Sequence, residues 1–524
     1  MLPVRRRFLK SDTIRPTPTG PRWTLMLKDI LKGAGSDTLK YFPVRLVPAL
    51  TSLITVPVFT RMVERADYGN FYLISSATSL AAAVATAWIT NSVVRFYWTY
   101  RGEDRQDDYV STSIWSTVMS VLAVAAVILF GVWLARDSLS TGLLGLVPIG
   151  VASLCITYFG TVLLQVLRAA NKATSFAIIS IGVTLLGTAA SVYLVAVPRL
   201  GSYGILLGMV IGNVLMLPFS LRMVAREGSL SPRRFSPDIL KQYLLFGMPL
   251  VPAAISSWLL VLADRYIIEF TRTTAEVGLY SVAYGLGEKI MQLITLPLII
   301  AMGPVMIQTF ERQGQALAQR VQTQMTRYFA LLTFPLLFGL AATSRHFMQV
   351  FTGPDYRAAF PILAIVAAGS LSYGLVQIAG NGIALHKKST ITMTNTMTAG
   401  VFNIVTNIAF VPRFGYMAAA YTTLASYALL LALTWYRSRP YMEWVIPWAD
   451  LARIAAVCGA MWAAIALTLG RVPGNVGVLL AEVALGAVVY IAGILVTGAV
   501  RADERAHVRD LAVRVWRRLA GRTR

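Results

Sequence analysis

Fourteen stretches of this chain are apolar and long enough to cross a bilayer, and its positive charge falls almost entirely on one side of them. A helix needs about 20 mostly apolar residues to cross the hydrocarbon core. The spans are read at 39–60, 71–94, 111–135, 143–167, 174–197, 203–225, 243–264, 279–302, 327–344, 360–384, 391–411, 417–436, 451–469 and 475–499. An even number places both termini on one side. Of the 47 Lys and Arg, 35 lie in the termini, in every second loop or at the span ends beside them, and 10 lie in the other loops. Arg45 and Lys289 fall inside spans. This alternation predicts cytoplasmic termini, because short cytoplasmic loops collect Lys and Arg. A missed or invented span would scramble the pattern, so the charge count supports the span count. The expected fold is an all-α, multi-pass membrane protein of the cytoplasmic membrane.

Composition agrees. The chain is 56% hydrophobic and 14% charged, with mean hydropathy +0.63. Its net charge of +23 follows from the loop bias and favours anionic lipid headgroups as neighbours over nucleic acid. Cys155 and Cys458 fall within spans and read as small apolar residues. His346, His386 and His507 are scattered, so no metal-ligand spacing is present and no cofactor is expected. Residues 1–38 form a basic tail. Within it, 23–32 read either as a short interfacial helix or as a plain cytosolic extension. Residues 501–524 form a second basic tail.

The chain repeats itself. Val47-Pro48-Ala49 matches Val251-Pro252-Ala253, and Asp67-Tyr68-Gly69 matches Glu276-Val277-Gly278. Ala173-Thr174 matches Ser389-Thr390, and Val197-Pro198-Arg199-Leu200-Gly201 matches Val411-Pro412-Arg413-Phe414-Gly415. The offsets run from 204 to 216 in constant order. The repeat divides the chain into a six-helix half at 39–228, a second half at 229–440 and two added helices at 441–500. Six spans per copy keep both copies in one orientation, so a pseudo-twofold runs along the membrane normal, with a site expected between the halves. Pro43, Pro48 and Pro57 in span 1 and Pro249 and Pro252 in span 7 are read either as hinges or as static kinks.

Ionisable groups inside a membrane are costly and are functional candidates. They are Arg45, Arg95 with nearby Asn91, Asp264-Arg265, Glu288-Lys289 and Glu482. The expectation is that spans 1, 2, 7 and 8 face one cleft. They would bring Arg45, Arg95, Arg265 and Lys289 against Asp264 and Glu288. Excess positive charge there suits an anionic substrate such as a glycan-bearing diphosphate. Arg45 and Arg95 also have the reach to snorkel to headgroups. Asp264-Arg265 reads as a local ion pair or a gate. Glu288 and Lys289 are adjacent, so they point in different directions. Glu482 is expected to face a neighbouring helix. No phosphate-cradling loop or nucleophile signature argues for an enzyme.

Three segments carry a resemblance. They are Arg61-Met-Val-Glu-Arg-Ala-Asp-Tyr-Gly-Asn-Phe-Tyr, Asn91-Ser-Val-Val-Arg95-Phe-Tyr, and Ala263-Asp264-Arg265-Tyr-Ile-Ile leading to Glu276-Val-Gly-Leu-Tyr280-Ser-Val-Ala-Tyr. With six plus six helices and two appended, the chain resembles the Wzx-type polysaccharide flippases of the multidrug/oligosaccharidyl-lipid/polysaccharide exporter superfamily. The resemblance covers about residues 28–500. It implies transfer of an undecaprenyl-diphosphate-linked oligosaccharide between leaflets of a bacterial inner membrane, for O-antigen, capsule or exopolysaccharide. A polymerase with chain-length machinery would be the downstream partner. Arg95 matches the family's arginine after span 2, and Asp264 its acidic residue ending span 7. Arg45 and Lys289 are carried by position and charge only. The lipid II flippases and cation-coupled drug exporters of the same superfamily remain alternatives. A membrane polymerase or ligase is another, although the longest outer segment, 345–359, is short for one.

Overall fold

A computed structural model of the chain describes residues 35–470, 472–500 and 504, without the side chains of 35–42, 45 and 49. The basic tails, including all of 23–32, therefore lie almost wholly outside the described residues. Residues 37–499 form one compact unit, and the second unit, 1–36 with 500–524, lies almost wholly outside them.

Every regular element among the described residues is helical. The first half holds α1 (Gly35–Met62), α2 (Arg65–Gly102), α3 (Gln106–Ala135), α4 (Thr141–Ala169), α5 (Ala173–Ala196) and α6 (Gly201–Val224). Span 7 is divided into α7 (Pro237–Gly247), α8 (Val251–Leu262) and the short continuation α9 (Asp264–Thr271). Then follow α10 (Thr274–Gln313), α11 (Gln315–Phe351), α12 (Phe360–Ala379), the one-turn α13 (Asn381–Leu385), α14 (Ser389–Phe414), α15 (Tyr416–Ser438), α16 (Trp448–Thr468) and α17 (Val476–Val496). Each of the fourteen spans read from sequence falls on one of these helices or helix groups. Twelve are long and apolar enough to cross a membrane by themselves. The other two, α1 and α14, have separate reasons. In α1, a helix of 28 residues, the side chains of 35–42 and 45 lie outside the described ones, and Leu46–Met62 is apolar. In α14, Asn395, Asn403 and Asn407 form a buried polar stripe at four- and eight-residue spacing, which lowers its hydropathy while facing neighbouring helices.

The matched motifs make matching contacts. Asp67 accepts hydrogen bonds from the Ser202 backbone N–H (2.9 Å) and from the Ser202 hydroxyl, at the start of α6. Glu276 accepts from the Tyr416 N–H (3.3 Å) at the start of α15. Both helices begin beside a glycine of positive φ, Gly201 (+54°) and Gly415 (+67°). Each carboxylate thus sits at an equivalent helix N-terminus, where free N–H groups and the helix dipole favour negative charge.

The two halves cross at Gly69 and Gly278. A Cβ on Gly69 would lie 2.1 Å from the Thr274 carbonyl oxygen, and one on Gly278 would lie 2.1 Å from that of Arg65. The 209-residue offset maps Arg65 onto Thr274 and Gly69 onto Gly278, so each contact is the image of the other. Backbone approaches this close admit no side chain. Gly278→Val is expected to lower stability by about 1–3 kcal/mol or more, as overpacking does. Gly131→Ala, where nothing lies within 4 Å, should leave it within about 0.5 kcal/mol. Melting temperatures of the detergent-purified variants check both values.

Further contacts close the same end of the bundle. The Gly353 N–H donates to Thr60 Oγ1 (3.0 Å) and the Tyr356 hydroxyl to the Val63 carbonyl (3.1 Å). Deeper in, Tyr266 donates to the Leu73 carbonyl (2.8 Å) and Trp258 Nε1 to that of Ser76 (2.9 Å). The opposite end is looser along α10. Past Thr295 only Met306 and Thr309 of that helix are buried. There the halves are bridged by α7, which packs on α2 and α3. Tyr243 of α7 joins Tyr97, Tyr100 and Tyr109 in one buried cluster. Beyond the break at Met248–Leu250, α8 packs against both α14 and α2. Span 7 therefore belongs to both halves. Its prolines interrupt the helix, whereas those of span 1 lie within an unbroken α1.

Candidate functional site

A cavity of about 490 Å³ opens within the first half, walled by α1, α2, α4, α5 and α6. Its lining is hydroxyl-rich. Ser180, Thr184 and Thr188 recur at four-residue spacing along one face of α5. Thr157 and Thr161 do the same on α4, and Thr51, Ser52 and Thr55 face them from α1. Tyr68 and Tyr72 of α2 add aromatic surface. The second half contributes Lys289, the one charged side chain among the described residues lining this space.

A second constellation sits beside the helix crossing. Asp264 and Arg265 are almost fully buried, with side chains 1% and 5% exposed. Arg265 Nη1 lies 3.0 Å from Asp264 Oδ1 and donates to the Val261 carbonyl (2.9 Å). The Tyr280 hydroxyl donates to the other carboxylate oxygen. The guanidinium lies 5.7 Å from the Tyr280 ring centre and 5.1 Å from that of Tyr284, within cation–π range. Tyr280, Tyr284 and Glu288 follow at four-residue intervals on α10. Glu288 lies within electrostatic reach of Arg265 and Asp264. A buried pair with this many partners is a fixed structural unit rather than two charges offered to a ligand.

The expected single cationic cleft is thus corrected. Lys289 faces the cavity, while Arg265 is neutralised by Asp264. Glu288 and Lys289 diverge, since successive helical residues point about 100° apart. Asn91 and Arg95 do not line the cavity. Arg95 is exposed, 5.9 Å from the Phe96 ring centre, and the Asn91 amide donates to the Ala87 carbonyl of its own helix (2.7 Å). Arg95 lies 23 residues beyond cavity-lining Tyr72, roughly 35 Å along α2. The side chain of Arg45 lies outside the described residues. Glu482 faces α11 as expected, with its Oε1 2.8 Å from His346 Nδ1.

Sequence reasoning missed the hydroxyl rows, and it offered Tyr280 and Tyr284 as sugar-stacking aromatics rather than as partners of Arg265. The signal of the rows was present in the four-residue spacing, but Ser and Thr are common in membrane helices, where most bond their own backbone. No group of three or more His, Cys, Asp or Glu among the described residues could hold a metal ion.

An apolar groove of about 630 Å³ lies on the other side of α1 and α10, completed by α11, α16 and α17. Leu53 faces this groove while Ser52 faces the cavity. Ile290 and Leu293 face it while Lys289 faces the cavity. The same two helices therefore part a polar space from an apolar one.

This architecture defines a multi-pass membrane protein of transporter fold. A solved structure titled "Lipid II flippase MurJ, inward closed conformation" superposes with a TM-score of 0.70 at 15% identity, over 87% of this chain and 97% of that one. An inward-facing multidrug resistance MATE family transporter of the MOP superfamily gives 0.55 at 14% identity, over 76% and 94%. Residues 35–310 match the family described as "Polysaccharide biosynthesis protein", and the chain belongs to that family. This bears out the Wzx-type resemblance drawn from the sequence. Among curated relatives, the uncharacterized membrane protein MJ1068 of Methanocaldococcus jannaschii is 21% identical over 76% of this chain and 82% of its own length. The probable low-salt glycan biosynthesis flippase Agl15 of Haloferax volcanii is 24% identical over 33% of this chain and 36% of its own length.

Proposed function

We propose that the chain is a flippase moving an undecaprenyl-diphosphate-linked oligosaccharide from the cytoplasmic to the periplasmic leaflet of a bacterial inner membrane. The observation that carries this reading is the partition made by α1 and α10. A substrate with a charged, hydroxyl-rich head and a long hydrocarbon tail needs a polar cavity and an apolar groove side by side. Lys289 stands at the boundary, where a diphosphate joining sugar to lipid would lie. The hydroxyl rows suit sugar hydroxyls, which both donate and accept hydrogen bonds. The family match and the relative named as a glycan flippase support the same reading.

In this account both termini are cytoplasmic, as the Lys and Arg bias favours, and the Gly69–Gly278 crossing closes the periplasmic end. The conformation is then inward-facing. Alternating access would open that crossing and close the opposite end, with span 7 bending at Met248–Leu250, since α7 packs on the first half and α8 on both. Asp264-Arg265 serves as part of the outer gate. The delivered oligosaccharide would be consumed by a polymerase on the periplasmic side.

Deleting the gene tests this reading. The expected result is loss of surface polysaccharide, with unpolymerised lipid-linked repeats held on the cytoplasmic leaflet. Repeats held on the periplasmic leaflet would instead indicate a polymerase or ligase. Unchanged glycan with raised drug sensitivity would indicate an exporter.

A further inference from the structure

The second half contains a cavity of its own, of about 410 Å³, built from α8, α10, α12, α13, α14 and α15. Those are spans 7, 8, 10, 11 and 12. The helices of the first half's own cavity wall are spans 1, 2, 4, 5 and 6, their repeat partners. The correspondence extends to single residues. An offset of 216 places Thr157 opposite Tyr373, Thr161 opposite Gln377 and Ser180 opposite Thr396. An offset of 214 places Ser220 opposite Thr434, and the 204 of spans 1 and 7 places Val56 opposite Leu260. All ten of these residues line their respective cavities.

The two linings differ in chemistry. Among the described residues, no charged side chain lines the second cavity. It replaces the hydroxyls of Thr157 and Thr161 with a phenol and an amide. Tyr373, Gln377 and Asn381 follow one another along a single face of the α12–α13 segment, and Tyr373 is 45% exposed. The Gln377 side chain lies beside the Tyr373 hydroxyl. An amide offers both donors and an acceptor to vicinal hydroxyls, and an aromatic ring offers a flat apolar face. The volume falls in the range of small-ligand sites, about 300–1,000 Å³. A neutral lining gives a diphosphate no counter-charge, so the ligand it fits is uncharged and rich in hydroxyls.

We infer that this second cavity binds the uncharged sugars of the oligosaccharide farthest from the diphosphate, while the Lys289 cavity holds the diphosphate and the first sugars. Recognition is then bipartite, and Tyr373, Gln377 and Asn381 select for the length and identity of the distal sugars. The inference rests on the flippase reading.

The test compares two lipid diphosphates in proteoliposomes containing the full chain, one carrying a single sugar and the other a complete repeat. The variant is Gln377→Leu with Asn381→Leu, which removes the amides and keeps the bulk. Its expected rate for the complete repeat is about tenfold below wild type, the effect of losing two or more hydrogen bonds. Its rate for the single-sugar lipid should stay within about twofold of wild type, a difference of less than one such bond. Tyr373→Phe, which keeps the stacking face, should move the complete repeat faster than Tyr373→Ala. An unchanged rate for the complete repeat would overturn the inference. So would an equal fall for both lipids, which marks general damage rather than distal-sugar recognition. If the wild-type chain moves neither lipid, the flippase reading itself fails and this inference falls with it.

Discussion

Arg265→Met is expected to cost about 3–5 kcal/mol of stability, the usual penalty for stripping one partner from a buried ion pair. The change leaves the Asp264 carboxylate in an apolar interior with only the Tyr280 hydroxyl and the Arg265 backbone N–H as donors. The double change Asp264→Asn with Arg265→Met removes both charges and should recover most of that loss, because paired removal is often close to neutral. Unfolding curves of detergent-purified protein separate the two outcomes. The double variant then tests the gate. If the pair acts in closing the periplasmic end, the double variant folds but translocates poorly. A double variant that folds and translocates normally reduces the pair to packing.

Lys289→Met is expected to have the largest functional effect. A charge-assisted hydrogen bond to a phosphate group is worth about 1.5–3 kcal/mol, so its loss should slow translocation by about 10- to 100-fold. Met keeps the length and apolar stem of the side chain, so the melting temperature should hold. Lys289→Arg should retain most activity, since a guanidinium also pairs with phosphate oxygens. Normal rates in Lys289→Met would place the diphosphate elsewhere. Arg45 would be the next residue to replace.

Much of the fold was legible because two physical rules leave direct traces in sequence. Apolar length marks the spans, and Lys/Arg bias fixes their alternation. The repeat was legible from Asp67-Tyr68-Gly69 and Glu276-Val277-Gly278, and the reason lies in what those residues do. The acidic residue sits at a helix N-terminus and the glycine permits the crossing, so neither position tolerates free drift. The ion pair of Asp264 and Arg265 was legible as adjacent opposite charges in an apolar setting. The cavity was not. It is built from Ser and Thr on four helices and tyrosines from a fifth, and no linear spacing reports which helices enclose one space. Arg95 misled for a related reason. Its helix belongs to the site, but of its 38 residues only those near Tyr68–Tyr72 line the cavity, and Arg95 is exposed. The double membership of span 7 was also hidden, since Pro249 and Pro252 mark a break without showing what each side packs against.

The most direct test of the account follows a lipid-linked oligosaccharide across a bilayer. Purified protein is reconstituted into vesicles with an undecaprenyl-diphosphate-linked oligosaccharide, and the fraction open to a membrane-impermeant sugar-modifying reagent is followed with time. The account predicts that wild-type vesicles expose the inner-leaflet pool to the reagent, whereas protein-free and Lys289→Met vesicles keep it protected. Protection in wild-type vesicles equal to that of protein-free ones, from a preparation that is folded by its melting curve, would contradict it.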